Sequence, residues 1–410
     1  MGRRRDLFYL YAARAARGFG DGFAAILLPA YLSELGFDFF QIGVVTAAAL
    51  LGSALITLAI GFLSPHYHQR TLLIVCAALM IVTGVGLPSV RGFAFVVLVV
   101  FIGTINPTTG DIGYHVPLEQ ASLAQRVSDD DRTRIFARYS LIGALAIAVG
   151  ALAAGAPDVL TSFGLSRIDA VRVMFYLYAA LGVAAAVLYT RLPAAAEREA
   201  ANRDGAALGR SRRTVYKLAA LFSLDSFAGG FTVQSLLALW LFKRFDLSLA
   251  TASVFFFWSN LLSALSYPMA ARLSKRFGLV NTMVFTHLPA SICLILAAFS
   301  SDLFIVFGLL LVRAVLSQMD VPTRNSYVMA VVTPAERTAA ASFTAVPRSL
   351  ASAASPPLSG MLLATAYSGA PLVISAVLKI VYDVVLLVSF RRQRPPEERK
   401  AHRSPAAKED

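Results

Sequence analysis

Turn residues and charges divide this chain into twelve mostly apolar stretches, each near or above the roughly 20 residues a helix needs to cross a bilayer. They lie near 8–33, 39–63, 70–88, 93–123, 135–156, 169–191, 214–242, 249–273, 280–299, 303–331, 336–364 and 368–390. Backbone polar groups in lipid must be satisfied within the segment, which leaves helices or closed barrels. Stretches of this length predict helices. The expectation is an all-α polytopic membrane protein with 12 transmembrane helices.

Composition agrees, with 57% hydrophobic and 15% charged residues in 410. A net charge of +13 would suggest nucleic-acid binding in a soluble protein. Here the bases cluster in alternate loops and at the ends, as in Arg3–Arg5, Arg70, Arg126, Arg132, Arg134, Arg272, Arg276 and Arg391–Arg394. That asymmetry follows the positive-inside rule and predicts both termini in the cytoplasm, with no nucleic-acid partner. Cys76 and Cys293 each sit in an apolar run without metal-ligand spacing, so they read as small core residues. No phosphate loop or Cys/His cluster is present, and nothing places Ser, His and Asp as a triad. A non-enzymatic protein without cofactor or metal is expected.

The chain also repeats itself. Gly61-Phe-Leu-Ser-Pro-His-Tyr-His68 registers against Ala271-Arg-Leu-Ser-Lys-Arg-Phe-Gly278, and Pro117-Leu-Glu-Gln-Ala against Pro322-Thr-Arg-Asn-Ser. Each match occupies the same place in its half, which predicts two pseudo-symmetric six-helix halves. The halves are expected at 1–191 and 214–390, with a polar cytoplasmic linker at 192–213 and a disordered cytoplasmic tail at 391–410.

With these features the chain resembles the major facilitator superfamily of secondary transporters over its whole length. The family's loop pattern after the second span finds Gly61, Leu63, Ser64 and Arg70, with Pro65 at the acid position and His66 at the first base. The second copy keeps Arg276-Phe277-Gly278 but has Lys275 at the acid position. Arg313 to Gln318 is similar to the family's Arg-Gln pattern, and Ser355-Pro-Pro-Leu-Ser-Gly360 approaches its Gly-Pro motif. The resemblance implies that the first, fourth, seventh and tenth helices line a central cavity and that the twelfth is peripheral.

Ionisable residues inside the apolar stretches are the functional candidates. Inserting one Asp or Arg at a helix centre costs about 2.5–3.5 kcal/mol on translocon scales, so each needs a partner or cavity water. On helices that the resemblance assigns to the cavity stand Arg17, Asp21, Asp111, Tyr114, Glu119, Asp225, Arg313, Gln318, Asp320 and Arg324, and Arg348 of the eleventh helix can join them. Arg17 with Asp21, and Asp320 with Arg324, are four apart and share a helix face. Each pair reads either as a structural ion pair or as part of a solute site.

Asp225 has no opposite charge within a turn, so water, a proton or a distant arginine must satisfy it. Asp111 follows Pro107 and Gly110, which predicts a bent, cavity-facing segment. His115 is expected to be structural. Glu119 and Arg324 hold equivalent places in the repeats and either meet across the symmetry axis or reach cytoplasmic water. Lys379 and Asp383, on the peripheral helix, read as a structural pair.

A desolvated carboxylate can change protonation as its access alternates, which nominates Asp225, Asp21 and Asp111 for proton coupling. Proton-coupled efflux of a small organic solute by a monomeric, lipid-embedded transporter of a bacterial inner membrane is the preferred expectation. Arg17, Arg313, Arg324 and Arg348 would instead suit an anionic solute. The degenerate loop motif leaves room for a non-transporting receptor or scaffold.

Overall fold

The computed structural model describes residues 2–63, 66–103, 105–108, 115–126, 129–193, 209, 211–333 and 336–390. Those residues form seventeen helices, and the twelve apolar stretches each contain one or two of them. The first three stretches give α1 (Gly2–Glu34), α2 (Phe39–Leu63) and α3 (Gln69–Ser89). The fourth gives α4 (Phe93–Ile102) and α5 (His115–Arg126), interrupted around Pro107 as its sequence implies. The fifth and sixth give α6 (Asp129–Ala153), α7 (Ala156–Ser162) and α8 (Arg167–Thr190).

Next in chain order come α9 (Arg212–Gly230) and α10 (Gln234–Phe245), then α11 (Leu249–Phe277), α12 (Leu279–Phe299), α13 (Leu303–Ser317) and α14 (Asp320–Val331). The chain closes with α15 (Arg337–Ala354), α16 (Pro356–Leu363) and α17 (Ala370–Phe390). The breaks follow the local chemistry. Pro157 and Pro356 stand in the first turns of α7 and α16, where a missing N–H is harmless, and Gly229-Gly230 ends α9.

Among the described residues, seven helical segments are long and apolar enough to cross a membrane: Phe39–Leu63, Gln69–Ser89, Arg134–Ser162, Arg167–Thr190, Leu249–Ser274, Leu279–Phe299 and Ala370–Phe390. Large apolar side chains face outward, such as Phe304 at 84%, Phe163 at 79% and Val388 at 78% exposure. Such a surface would associate in water and suits lipid.

The chain packs as two compact units that do not follow chain order. The first joins Met1–Arg203 with Phe231–Ala264 and Ala353–Pro371. Thus α10, the start of α11 and α16, all from the second half of the sequence, pack in the same unit as α1 to α8. Its core includes Leu10, Leu73, Cys76, Leu118, Tyr139 and Tyr189.

Within this unit small residues allow backbones to touch. A Cβ on Gly43 would strike the Pro356 carbonyl, and one on Gly360 would strike that of Phe39. Lys243 caps the same contact, with its ammonium 4.6 Å from the Phe39 ring centre and donating to the Leu363 carbonyl. Nearby α7 and α11 are joined by Asp158, whose Oδ2 accepts from the Ala250 N–H at 2.8 Å. Small residues are how helices approach closely where no hydrophobic effect drives them together. Gly360→Ala is therefore expected to part α16 from α2, measured as faster aqueous maleimide labelling of a Phe39→Cys reporter than on the Gly360 background.

The second unit joins Asp204–Gly230 with Leu265–Ser352 and Leu372–Asp410. Its core includes Val215, Phe222, Met283, Tyr327, Tyr382 and Phe390. The Glu336 carboxylate ties the residues just before α9 to the start of α15. It accepts from the Gly209 N–H at 2.5 Å, the Ser211 hydroxyl at 2.7 Å and the Thr333 hydroxyl at 2.7 Å. A carboxylate at a helix start suits both the free backbone N–H groups and the helix dipole. Glu336→Ala is expected to lower the amide-exchange protection of Gly209 and Ser211 while leaving α12 unchanged, as read by hydrogen–deuterium exchange.

Candidate functional site

Among the described residues, most of the buried ionisable groups gather into two clusters, one in each unit. In the first, α1 delivers Arg17 and α5 delivers Glu119, which is fully buried. Glu119 accepts from three donors: the Arg17 guanidinium, the Tyr139 hydroxyl of α6 and the Tyr189 hydroxyl of α8, the last at 2.5 Å. Arg17 Nε also donates to the Tyr189 oxygen at 3.0 Å. Arg14 lies over the Tyr139 ring, 5.2 Å from its centre. A carboxylate with an arginine and two phenols around it is the arrangement that makes burial of such a pair tolerable.

The helix-face reading of Arg17 with Asp21 gives way here to a longer-range pairing. Arg17 reaches Glu119, 102 positions away, while Asp21 Oδ1 accepts from the Tyr178 hydroxyl at 3.2 Å. Asp111 and Tyr114 lie outside the described residues. His115 is buried at the start of α5.

The second cluster is built from α9, α12, α14 and α17. Asp225 of α9, the residue without a local partner, is 6% exposed and held by two cations. Arg324 Nη1 donates to its Oδ2 at 3.1 Å, and Lys379 Nζ donates to its Oδ1 at 2.8 Å. The i,i+4 pair of Asp320 and Arg324 does form, at 2.9 Å, so Arg324 bridges two carboxylates. A distant arginine therefore satisfies Asp225, as one of the expected alternatives had it.

Lys379 and Asp383 do not satisfy each other as expected of residues four apart. Lys379 turns to Asp225, and Asp383 Oδ1 meets His287 Nδ1 of α12 at 3.1 Å. His287 was legible by the same signal as the other charges, an ionisable residue within an apolar stretch, yet only its partners on α17 were singled out. Tyr139 and Tyr189 carry no such signal, because a lone tyrosine in an apolar run reads as packing.

Arg348 Nε of α15 donates to the Ser226 hydroxyl at 3.1 Å. Arg313 lies on α13, and Gln318 caps that helix at its break with α14. Among the described residues no carboxylate lies within ion-pair distance of Arg313 or Arg348. Glu119 and Arg324 are each engaged inside their own unit. Among the described residues no group of three His, Cys, Asp or Glu is disposed to hold a metal.

The clusters share one plan with opposite signs. In the first, a base on α1 meets an acid two residues after Pro117; in the second, an acid on α9 meets a base two residues after Pro322. The sequence repeat is thus matched by a repeat of buried pairing.

The sequence profile of the Major Facilitator Superfamily matches residues 10–258 and, in a second placement, 218–409. The chain belongs to the major facilitator superfamily. An uncharacterized membrane protein of Saccharomyces cerevisiae is 22% identical, the alignment covering 94% of each chain. The fold is that of solved superfamily members at low identity. The nucleoside transporter NupG superposes with a TM-score of 0.73 at 17% identity, covering 95% of this chain and 100% of its own. A bacterial homologue of the human lysosomal transporter Spinster gives 0.75 at 15%, covering 95% and 97%. The xylose transporter XylE from E. coli gives 0.70 at 14%, covering 95% and 98%. The superfamily fold supports secondary transport of a small solute.

Proposed function

We propose that this superfamily member is a secondary active transporter that exports a small organic solute, driven by a proton gradient, through alternating access of two six-helix halves. Twelve crossings, a cytoplasmic linker and tail, and a monomer in a bacterial inner membrane complete the reading. The observation that carries it is Asp225, a buried carboxylate on a helix that family resemblance assigns to the solute cavity, held by two cations from different helices. Such a group can exchange a cation partner for a proton as its surroundings change. Asp21, bonded to a tyrosine rather than to a base, is the second coupling candidate in this reading, and Asp111 the third.

A second reading, transport of a small anion, is favoured by Arg313 and Arg348, whose guanidinium groups are not neutralised by a paired acid among the described residues. A guanidinium offers a planar fork that matches carboxylate or phosphate. Reconstituted vesicles loaded with organic cations, neutral amphiphiles or organic anions, with and without a pH gradient, test both. Efflux predicts gradient-dependent movement of cations or neutral amphiphiles that Arg348→Ala leaves within a factor of a few. Anion transport predicts movement of the anion set alone and its loss in Arg348→Ala and Arg313→Ala. No flux in any set would favour a receptor or scaffold.

A further inference from the structure

The peripheral end of the second cluster has an order that a static ion pair does not need. Lys379 Nζ stands 2.8 Å from Asp225 Oδ1 and 3.3 Å from His287 Nε2, and His287 Nδ1 stands 3.1 Å from Asp383 Oδ1. The four side chains therefore form a continuous hydrogen-bonded chain from α9 through α17 and α12 and back to α17. His287 is 2% exposed and Asp383 fully buried. Among the described residues Asp383 Oδ2 has no hydrogen-bond partner. A buried carboxylate oxygen left bare is costly as an anion and cheaper as an acid.

The tautomer follows from the donors. A lysine ammonium has only hydrogens to give, so Nε2 of His287 must accept, which leaves the imidazole hydrogen on Nδ1, aimed at Asp383. We propose that Lys379, His287 and Asp383 form a proton relay that ends on Asp383 as a buried proton-binding site, away from the cavity helices. In the transfer, the Lys379 N–H bond breaks as His287 Nε2 gains a hydrogen, and the Nδ1–H bond breaks as Asp383 Oδ1 gains one. The ammonium and the carboxylate become a neutral amine and a neutral acid, and His287 ends in its other tautomer. Net charge is conserved, and two buried charges disappear together, which limits the energetic gap between the two forms.

The surroundings fit such an exchange. Facing the relay are Asp225 of α9, Asp320 and Arg324 of α14 and Tyr382 of α17, whose ring meets His287 edge-on at 6.1 Å. Arg348 of α15 reaches Ser226, the neighbour of Asp225. Three carboxylates, Asp225, Asp320 and Asp383, balance Arg324, Lys379 and Arg348 while the imidazole is neutral. When the proton sits on Asp383, Asp225 keeps Arg324 but loses its lysine cation. Asp225 is then the group freed to take a new partner.

As a coupling device the relay rests on the proton-driven reading above, but as a proton site it is testable without any solute. Infrared difference spectra of the purified full chain, recorded across a temperature ramp at fixed pH, are expected to contain a carboxylic-acid C=O band that is lost in Asp383→Asn and shifted in His287→Gln. Asp383→Glu keeps the acid, guards against a folding failure, and is expected to move the band instead of erasing it. Nitrogen-15 spectra of labelled histidine in the wild type are expected to contain one Nδ1–H imidazole that changes state in step with that band. A wild type with no such carboxylic band, or a set of carboxylic bands all unmoved in both Asp383 variants, overturns the relay. A band that behaves as expected in a protein whose transport ignores the pH gradient upholds the site and overturns its use in coupling.

Discussion

Replacing Glu119 by Ala is expected to destabilise the protein by about 3–5 kcal/mol, the range seen when one partner of a buried ion pair is removed. Three donors from three other helices converge on this one fully buried carboxylate. Its loss leaves the Arg17 guanidinium, 3% exposed, with a tyrosine oxygen as its hydrogen-bond acceptor. The two phenols lose their acceptor at the same time, and each unmet buried donor adds its own desolvation cost. The measurement is thermal unfolding in detergent. Glu119→Gln, which keeps the shape and an acceptor oxygen, is expected to lie between the wild type and Glu119→Ala. A melting temperature unchanged in both would mean that the pair contributes nothing to stability.

Asp225→Asn is expected to abolish gradient-driven accumulation while leaving solute exchange between equal pools partly intact. The asparagine keeps the size of the side chain and a carbonyl oxygen for Arg324 or Lys379, but it carries no charge and takes up no proton at working pH. Driven movement requires the coupling ion to be bound and released once per cycle, whereas exchange requires only that the solute site be carried across. Accumulation and counterflow measured in the same vesicles separate these effects, because a folding defect lowers both together. Proton-driven accumulation at the wild-type level in Asp225→Asn would remove this residue from the coupling role.

The sequence made some features plain because they are local. Apolar length located the helices, and Pro107 marked a place where a stretch is interrupted, whereas the breaks at Pro157 and Pro356 were not legible, because Pro88, Pro268 and Pro289 stand inside continuous helices. Buried charges were legible from composition alone, because a charge in an apolar run needs a partner wherever that partner stands. Which partner was much less legible. Asp320 and Arg324 did meet at four-residue spacing, but Arg17, Lys379 and Asp383 passed over neighbours at the same spacing for residues about 100 or more positions away. Helix-face geometry brings two side chains near each other, whereas tertiary packing decides which carboxylate can be enclosed. The junction of Gly43 and Gly360 with opposing carbonyls was likewise hidden, because a glycine in an apolar run does not name the backbone it admits.

The reversed polarity of the two buried pairs has a genetic consequence. A chain made of two first repeats would put arginine at both α1-type positions and glutamate at both α5-type positions, so both pairs would carry the same polarity. The lysine–histidine–aspartate branch, however, is seen among the described residues in the later copy. Segments 1–191 and 214–390 expressed separately are therefore expected to restore function only when one of each kind is supplied.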